Sequence, residues 1–418
     1  MAAQLAITWM MIAPDMLTAI ATYLPVTSIM RLSSTCATFH AVLLADARLW
    51  AVLCRRDFHL LPPSTSPRDA ASWRSFYRRM FDPIVLTWGV IQGGRLRQDG
   101  AAWRNTVVPT PIDTSDLGPI KAISSAGFGM HVLTQHGHVW LWGRLDEHSP
   151  VTRGTKVPLV ERAVAISSGH TCGVAITARG NAYVWVHRPS SRGLHVVQCN
   201  VDGPTLRRCR VRQIAAGWNH VAILFDDGRV KTCALADLDA VHLQPSFADA
   251  DPMVALAAGH MFTAARTASG RVRFWRHIGK CPSVDTILSH AALNLDDDLF
   301  CRHISAGLNQ FCVCDARTGT LTMLRVHNTL PPTAATASFS ATAVHDIVHG
   351  TAHAGALLEN GQVWTWGNGS SALGLGIDDE NHPVRQPTRV VRGLDNRGLF
   401  VLELAGGGWQ SAALAVRV

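Results

Sequence analysis

Three groups of residues in this sequence are of types that perform chemistry in other proteins. A glycine-rich run at residues 367–376, GNGSSALGLG, has the composition of a phosphate-binding loop. His220 and His353 each stand three residues after a glycine, and Cys312 and Cys314 are separated by one residue. Histidines at fixed spacing are candidate bases or metal ligands, and a close cysteine pair is a candidate metal site.

None of these groups has the sequence context that its chemistry requires. The glycine run lacks the Lys-Ser/Thr pair and the helix pattern that complete a phosphate loop. Cys172 and Phe262 hold the place of the two histidines in sister segments, and a position that accepts phenylalanine is a packing position. Cys-x-Cys along a strand puts both side chains on one face, which favours a core role. We therefore predict no catalytic residue, no metal and no cofactor.

A repeated segment accounts for both the histidines and the glycine run. An aliphatic residue precedes a glycine, and a second glycine follows after a strand, as in IAAGWNHVAILFDDG at residues 214–228. The next strand often ends in tryptophan, as in VWTWG at residues 363–367. Short strands repeated at this period predict the blades of a β-propeller. Seven copies begin at Gly127, Gly169, Gly217, Gly259, Gly307, Gly350 and Gly407.

The two ends of the repeated region complement each other. The copy at Gly407 has no tryptophan strand after it, and a spare strand of that kind, IVLTWG, stands at residues 84–89. We expect the two to pair, so that strands from both ends of the region close the ring and leave no open sheet edge.

The repeat also resembles a known family. GQVWTWGNGSSALGLG followed by QPTRV, together with the glycine–histidine segments, resembles the repeat of the regulator of chromosome condensation. This resemblance covers residues 84–418 and implies a seven-bladed β-propeller.

The region before the propeller has helical periodicity. Pro14 and Asp15 favour a helix start, Pro25 ends that helix, and Asp46 is a candidate cap for the last one. Ile29 to Leu43 carries apolar residues at three- and four-residue steps, which predicts one continuous second helix. Such a three-helix unit is too small to bury all its apolar surface, so another surface must cover it.

This helical unit resembles an F-box. The resemblance rests on a leading proline, an aliphatic helix, a YLP break and a closing Leu-Trp, with Ala13 as a departure from the usual larger aliphatic residue. It implies binding to the Skp adaptor of a cullin-based ubiquitin ligase; a helical cap that packs on the propeller is the alternative. The adaptor-binding residues would be Pro14, Leu17, Ile20, Leu24, Pro25, Ile29, Leu32, Cys36, Phe39, Leu49 and Trp50.

The predicted organisation is an F-box domain at 8–55, a linker at 56–83 and the propeller at 84–418. The linker holds a loop, LPPSTSP, and a helix pattern, RDAASWRSFYRRM, which we expect to pack against both domains. An F-box followed directly by this propeller resembles the fungal SCF-associated factor type of adaptor.

The turn after each repeat glycine is the candidate binding surface. Seven equivalent turns of a closed ring must lie around the axis on one face, and aromatic or methionine side chains there are typical of interfaces. The alternative is that these side chains fold inward and plug the channel. The substrate-binding candidates are Phe128, Trp218, Asn219, His260, Met261, Leu308, Asn309 and Trp409.

Composition narrows the partners. The chain of 418 residues is 47% hydrophobic and 16% charged, which is typical of a folded protein. Its net charge of +8 comes mainly from arginine, with runs at 207–212 and 271–277 that we interpret as solvated blade edges, the alternative being grips for acidic partners. No basic tail precedes the propeller, so we do not expect nucleic acid as a partner. The N-terminal apolar stretch has no basic region before it and is interrupted by Pro14, so we expect no membrane segment and a cytoplasmic and/or nuclear location.

The resemblances lead to three functional hypotheses. The first is a non-catalytic substrate-recognition adaptor of an SCF ubiquitin ligase, in which the F-box binds the Skp adaptor, and through it cullin, while the propeller binds a protein substrate for ubiquitination and proteasomal degradation. The alternative is a guanine-nucleotide exchange factor or chromatin-binding propeller protein. The third is a scaffold with a vestigial F-box.

Overall fold

The structure is a computed structural model of the chain. It describes residues 13–58, 69–98, 104–149, 151–188, 193–199, 210–243, 251–276, 301–315, 318–326, 333–337, 344–379 and 383–418. The whole linker loop at 61–67 and parts of both arginine runs lie outside these residues.

Five helices form the N-terminal unit within the described part of the chain. They are α1 (Pro14–Ala21), α2 (Val26–Ser33), α3 (Ala37–Ala45), α4 (Ala47–Phe58) and α5 (Ala70–Arg79). The helix starts follow the sequence signals: α1 begins at Pro14, and the Asp46 carboxylate accepts hydrogen bonds from the backbone N–H groups of Arg48 and Leu49 at 2.8 and 3.2 Å. Thus Asp46 caps α4 as predicted.

The expected continuous second helix is wrong. It divides into α2 and α3 around Cys36, whose backbone is extended and whose sulfur accepts a hydrogen bond from the Phe39 N–H at 3.5 Å. Ser34 and Thr35 donate their hydroxyls to carbonyls three residues earlier, which satisfies the end of α2. Local side-chain bonds therefore interrupt a pattern whose apolar spacing looks continuous.

Helix α5 joins the helical unit to the propeller, as the sequence predicts. Its Trp73, Phe76 and Tyr77 are buried in the same core as Leu49 of α4. The Phe76 ring meets Phe400 of the propeller edge-on, with centroids 5.7 Å apart. Helix α4 also runs past the expected boundary at residue 55. The described helices thus form one unit that is larger than the expected F-box domain.

Twenty-seven strands follow in the part of the chain that the structure describes. In chain order they are β1 (Ile84–Gly89), β2 (Thr106–Pro111), β3 (Ile120–Ser125), β4 (Gly129–Thr134), β5 (Val139–Gly143), β6 (Thr152–Lys156), β7 (Ala163–Ser168), β8 (Cys172–Thr177), β9 (Ala182–His187), β10 (Leu194–Gln198), β11 (Val211–Ala216), β12 (His220–Phe225), β13 (Val230–Ala234), β14 (Asp237–Leu243), β15 (Met253–Ala258), β16 (Phe262–Thr267), β17 (Val272–Arg276), β18 (Cys301–Ala306), β19 (Gln310–Asp315), β20 (Leu321–Arg325), β21 (Thr333–Ala337), β22 (Val344–His349), β23 (His353–Leu358), β24 (Val363–Gly367), β25 (Val384–Arg389), β26 (Leu399–Gly406) and β27 (Gln410–Arg417).

These strands form seven antiparallel sheets, which are the predicted blades. Blades 1 to 6 are β3–β6, β7–β10, β11–β14, β15–β17, β18–β21 and β22–β25 in sequence order, and blade 7 has the order β2-β1-β27-β26. The first three strands of each blade coincide with the predicted repeat. Apart from blade 4, in which three strands are described, each blade has a fourth, outer strand that the repeat analysis missed.

In blade 7, β1 pairs with β27 over six residues, from Ile84 opposite Ala415 to Gly89 opposite Gln410. The sheet therefore combines strands that are more than 300 positions apart in the chain.

The first glycine of each repeat stands where neighbouring blades come closest. A Cβ atom at Gly217 would lie 2.4 Å from the Gly259 carbonyl oxygen of the next blade, and one at Gly350 would lie 2.3 Å from that of Gly407. The second glycine has another role: Gly228, for example, has φ +83° in the turn between β12 and β13. The two glycines are therefore fixed by contact between blades and by turn conformation, respectively.

Buried polar side chains hold neighbouring blades together. The His220 ring bonds the Thr263 hydroxyl at 2.9 Å, and the His353 ring bonds that of Ser411 at 2.8 Å, in each case across a blade boundary. Trp185 Nε1 donates to His131 at 3.0 Å in the same way. These histidines therefore pack and bridge blades.

Acid should weaken the propeller through three of its histidines. Burial lowers the pKa of His131 and His349 to about 3 and that of His353 to about 4. A histidine whose pKa is lowered on folding contributes stability at pH values above its unfolded-state pKa of about 6.5. This contribution is lost as the pH falls toward the folded-state pKa. Each should reduce the free energy of unfolding by up to about 1.4 kcal/mol per pH unit in this range.

Urea unfolding between pH 7 and pH 4.5 tests this expectation. His353→Gln is the matched variant, because glutamine holds the same place in blade 7, at Gln410. The variant should lose less stability than the wild type as the pH falls. Equal losses would exclude a contribution from His353.

The cysteine pair lies in the propeller core. Cys312 and Cys314 are buried among apolar residues between blades 5 and 6, as predicted.

Among the described residues, no single helix is long and apolar enough to span a bilayer. Helices α3 and α4 reach that length only as a pair bent by 64°.

Candidate binding surface

The turns between the first and second strands of the blades form one surface, here called the turn face. Each turn begins at a repeat glycine, and backbone hydrogen bonds join most pairs of neighbouring turns. The N–H of Trp218 donates to the Gly259 carbonyl at 3.1 Å, and the N–H of Gly408 in blade 7 donates to Ala126 of blade 1 at 3.0 Å. The residues directly after the glycines are thus held at equivalent positions around the axis.

Four of these residues form a continuous row of rings across blades 1 to 4. Phe128 meets His170 edge-on at 4.9 Å between centroids, and His170 stacks on Trp218 at 3.3 Å with an interplanar angle of 7°. Trp218 then meets His260 edge-on at 4.9 Å. We call Phe128, His170, Trp218 and His260 the aromatic row. All four are half-buried, so each ring keeps part of its surface accessible to solvent.

The row also borders the mouth of the central channel. His170, Trp218 and His260 line a cavity of about 80 Å³ on the axis, together with the repeat glycines. The turn residues were expected either to form an outward-facing surface or to fold inward and plug the channel. These two alternatives are not exclusive, because the same rings narrow the channel and present a surface.

Burial keeps the two histidines of the aromatic row, His170 and His260, uncharged near neutral pH. Burial, with smaller contributions from His260 and Arg95, lowers the pKa of His170 to about 4, and burial also lowers the pKa of His260. One cation lies at the end of the row, where the Arg95 guanidinium is 5.7 Å from the centroid of Phe128. The surface can therefore contact apolar and aromatic groups without first losing a proton.

The other predicted turn residues flank the row. Met261 is 38% exposed and Trp409 41% exposed, while Asn309 is exposed and Leu308 half-buried. Asn219 is half-buried, and its side-chain oxygen contacts the His220 ring at 3.3 Å. All eight predicted residues thus lie on the turn face, and their role in binding stays a prediction.

Sequence reasoning missed His170, the central member of the row. The signal was present, because His170 follows Gly169 just as Trp218 follows Gly217 and His260 follows Gly259. A strict alignment of the position after each repeat glycine would have included it.

Comparisons with known proteins agree with this geometry. Models of the Regulator of chromosome condensation (RCC1) repeat match residues 211–233 and 360–414. The chain carries RCC1 repeats. The first match covers β11, β12 and most of β13, and the second runs from β24 into β27, so both lie within the sheets described above.

Solved structures show the same fold at low identity. Human WBSCR16 superposes with a TM-score of 0.63 and 17% identity, covering 80% of this chain and 99% of that chain. Prp20p from Saccharomyces cerevisiae, whose structure was described with its binding properties to Gsp1p and histones, gives 0.63 and 16%, covering 82% and 95%. Yeast RCC1 (Prp20) bound to Kap60 gives 0.61 and 16%, covering 82% and 92%. The propeller is therefore RCC1-like and seven-bladed.

The helical unit beside the RCC1-like propeller buries several of the predicted adaptor-binding residues. The Trp50 indole donates to the Leu43 carbonyl at 3.0 Å and meets Tyr77 of α5 edge-on at 5.6 Å. The helical unit therefore covers much of its own apolar surface, and α5 contributes Trp73, Phe76 and Tyr77 to this core. The buried residues are Leu17, Ile29, Phe39, Leu49 and Trp50, the half-buried ones Leu24, Leu32 and Cys36, and the exposed ones Pro14, Ile20 and Pro25.

A different set of apolar side chains faces solvent on α1 and just after it. Met16, Ile20 and Tyr23 are 59%, 38% and 88% exposed. They are spaced four and three residues apart, which places the two helical members on one face. Met16 and Tyr23 were absent from the predicted set because the sequence alone does not show which side of so apolar a helix packs inward.

Proposed function

We propose that this chain is a binding protein, itself making and breaking no covalent bond, whose RCC1-like propeller recognises a partner protein through its turn face. The aromatic row is the observation that carries the proposal. It places four rings from successive blades side by side, half-open to solvent and uncharged at neutral pH. Interfaces concentrate their binding energy in such aromatic groups.

A small GTPase or chromatin is the first partner class to test. On a GTPase the chain would act as a guanine-nucleotide exchange factor, by favouring a conformation that releases nucleotide. This proposal rests on a similarity of fold to Prp20p, and the similarity extends over 95% of the Prp20p chain.

The ring must be closed for the turn face to be continuous. We infer that strands from both ends of the propeller region close it, by the pairing of β1 with β27. The hydrogen bond from the Gly408 N–H to the Ala126 carbonyl, which joins blade 7 to blade 1, supports this inference.

Removing two rings should abolish partner capture. Trp218→Ala combined with Trp409→Ala deletes the centre of the aromatic row and the most exposed flanking ring. We expect at least a tenfold loss of affinity, since central aromatic residues contribute about 2 kcal/mol or more. The measurement is binding of the purified chain to Gsp1p and to histones, with release of a fluorescent guanine nucleotide recorded for the GTPase.

Tyr23→Ala is the matched control, because it removes an exposed ring from the helical unit and leaves the turn face intact. Unchanged capture by the double variant would exclude the turn face as the binding site. Absence of binding to both probes in the wild type would exclude the first partner class.

A second candidate function is that of an SCF substrate adaptor, which one observation favours. The exposed apolar side chains of Met16, Ile20 and Tyr23 form a face that the described chain leaves open. Here the helical unit would bind the Skp adaptor, and the propeller would bind a substrate.

Co-expression with a Skp adaptor tests this second function. Ile20→Arg with Tyr23→Arg is the informative variant, since both side chains are exposed. Leu17→Arg is not suitable, because Leu17 is 2% exposed and its replacement would disrupt the core. A complex that forms with the wild type and is lost in the variant supports the adaptor function; no complex with the wild type excludes it.

A further inference from the structure

A groove on the helical unit has no part in either proposed function. It lies between α2 and α5, with a volume of about 820 Å³. Val26 and Met30 line one wall from successive turns of α2, and Phe81 lies at the end of the opposite wall. Met30 is 45% exposed and Phe81 43% exposed, so the walls offer apolar surface to solvent.

Helix α5 presents a face suited to another helix. Ala71, Arg74, Ser75 and Arg78 line the groove and are spaced at i, i+3, i+4 and i+7, which is one side of an α-helix. Ala71 and Ser75 are small and exposed, so a second backbone can approach closely between the flanking arginines. The opposite side of α5 is buried in the core of the helical unit, which fixes this face outward.

The charge of the groove selects the partner. Arg74, Arg78 and Arg79 line it, and Asp82 is the one acidic side chain among its described lining residues. The Arg79 guanidinium donates to the Ser75 carbonyl of its own helix at 3.3 Å. Neither Arg74 nor Arg78 forms an ion pair with any residue that the structure describes. Two guanidinium groups beside an apolar wall are therefore available to carboxylates of a bound segment.

We propose that this groove binds an acidic amphipathic helix of a partner protein. The apolar face of that helix lies on Met30, Val26 and Phe81, and its carboxylates pair with Arg74 and Arg78. Because α5 has ten residues and a helix rises about 1.5 Å per residue, the bound segment needs about three turns. The binding mode is independent of the turn face and of the exposed side chains on α1.

A pair of synthetic peptides tests the proposal on the full chain. One fluorescein-labelled helical peptide carries leucine on one face and glutamate beside it, and its counterpart has lysine in place of each glutamate. Fluorescence anisotropy should show at least tenfold tighter binding of the acidic peptide. Arg74→Glu with Arg78→Glu should reverse this preference, because charge complementarity then favours the lysine peptide.

Two further variants keep the result interpretable. Arg48→Glu with Arg55→Glu makes the same charge change at exposed sites of α4 outside the groove and should leave the preference unchanged. Met30→Asp should weaken the acidic peptide at least tenfold. The proposal is overturned if the acidic peptide does not bind, or if it binds the Arg74/Arg78 variant as well as the wild type. It is also overturned if sedimentation shows that this variant disrupts a dimer, since the groove would then hold a second copy of the chain.

Discussion

Trp88→Ala should lower the free energy of unfolding by about 3–5 kcal/mol, the range observed when a large aromatic side chain is removed from a core. Trp88 has no exposed surface, and it lies in β1, the strand that pairs with β27. Its indole N–H donates to the Ala372 carbonyl at 2.8 Å, which ties blade 7 to the segment after β24 in blade 6. The substitution therefore creates a cavity and leaves a buried carbonyl with one donor fewer.

Denaturant unfolding of three tryptophan variants checks this result. Trp409→Ala removes the same side chain from an exposed site, where it is 41% exposed, and should change stability by less than about 0.5 kcal/mol. Trp88→Phe keeps most of the packing but removes the donor, so its loss should lie between the other two. If Trp88→Ala unfolded at the same denaturant concentration as Trp409→Ala, the seam between β1 and β27 would contribute little to stability.

The repeat was predictable because the backbone geometry at its glycine positions leaves no room for a side chain or requires a conformation that other residues rarely adopt. Gly217 and its equivalents lie against the carbonyl of the next blade, and Gly228 and its equivalents have positive φ. Both requirements leave a visible mark in the sequence at a fixed period. The tryptophans that end the third strands mark the period in the same way, since Trp88 and Trp142 are completely buried between blades.

The outer strands were not predictable by the same route. Strand β25, VRQPTR, is half-buried or exposed throughout and contains a proline, so its residues show no apolar alternation that would predict a strand. It is recognised as a strand from its pairing with β24, where Trp364 stands opposite Arg389. Pairing with an existing edge, rather than an apolar pattern, defines such strands.

Which residues of the helical unit are buried depends on packing between distant segments, and the local sequence does not show this packing. Leu17, Leu49 and Trp50 were expected to face a partner because a three-helix unit cannot bury them alone. The helical unit buries them in a core to which α5, from beyond the expected boundary, adds Trp73, Phe76 and Tyr77. The residues left on the surface are therefore others, such as Met16 and Tyr23, and the proposed contacts move with them.

A half-buried acid at the junction of blades 7 and 1 leads to the second large prediction. Glu403 and Gln213 occupy equivalent places, each directly after the β-bulge in the first strand of its blade. Gln213 both donates to the Leu256 carbonyl at 3.0 Å and accepts from the Leu256 N–H at 2.9 Å in the next blade. Glu403 accepts from the Ile123 N–H of blade 1 at 3.4 Å. A protonated carboxyl can both donate and accept, as the amide does, whereas a carboxylate can only accept.

Glu403→Gln should therefore remove a pH dependence of stability near neutrality. Burial, reinforced by the charge of Asp346, raises the pKa of Glu403 from 4.5 to about 8. A group whose pKa is raised on folding contributes stability that is fully present at pH values below its unfolded-state pKa. This stability is lost as the pH rises through the folded-state pKa. The wild type should lose up to about 1.4 kcal/mol per pH unit between pH 4.5 and 8 from this group. Between pH 6.5 and 8 the buried histidines contribute equally to the wild type and to Glu403→Gln, so the difference between the two slopes isolates the acid.

Urea unfolding at pH 6.5, 7.25 and 8 should give a free energy of unfolding for the wild type that falls relative to that of Glu403→Gln as the pH rises. Gln213→Glu is the matched control, because it places the same acid at the junction of blades 3 and 4 and should steepen the fall. Asp346, whose pKa burial raises from 3.8 to about 6, acts mostly below this window and does not mask the difference. Parallel curves for the wild type and Glu403→Gln would mean that Glu403 is already ionised in the folded protein at pH 6.5. Asp346 and Glu403 would then interact as two ionised carboxylates, and like-charge repulsion makes this costly.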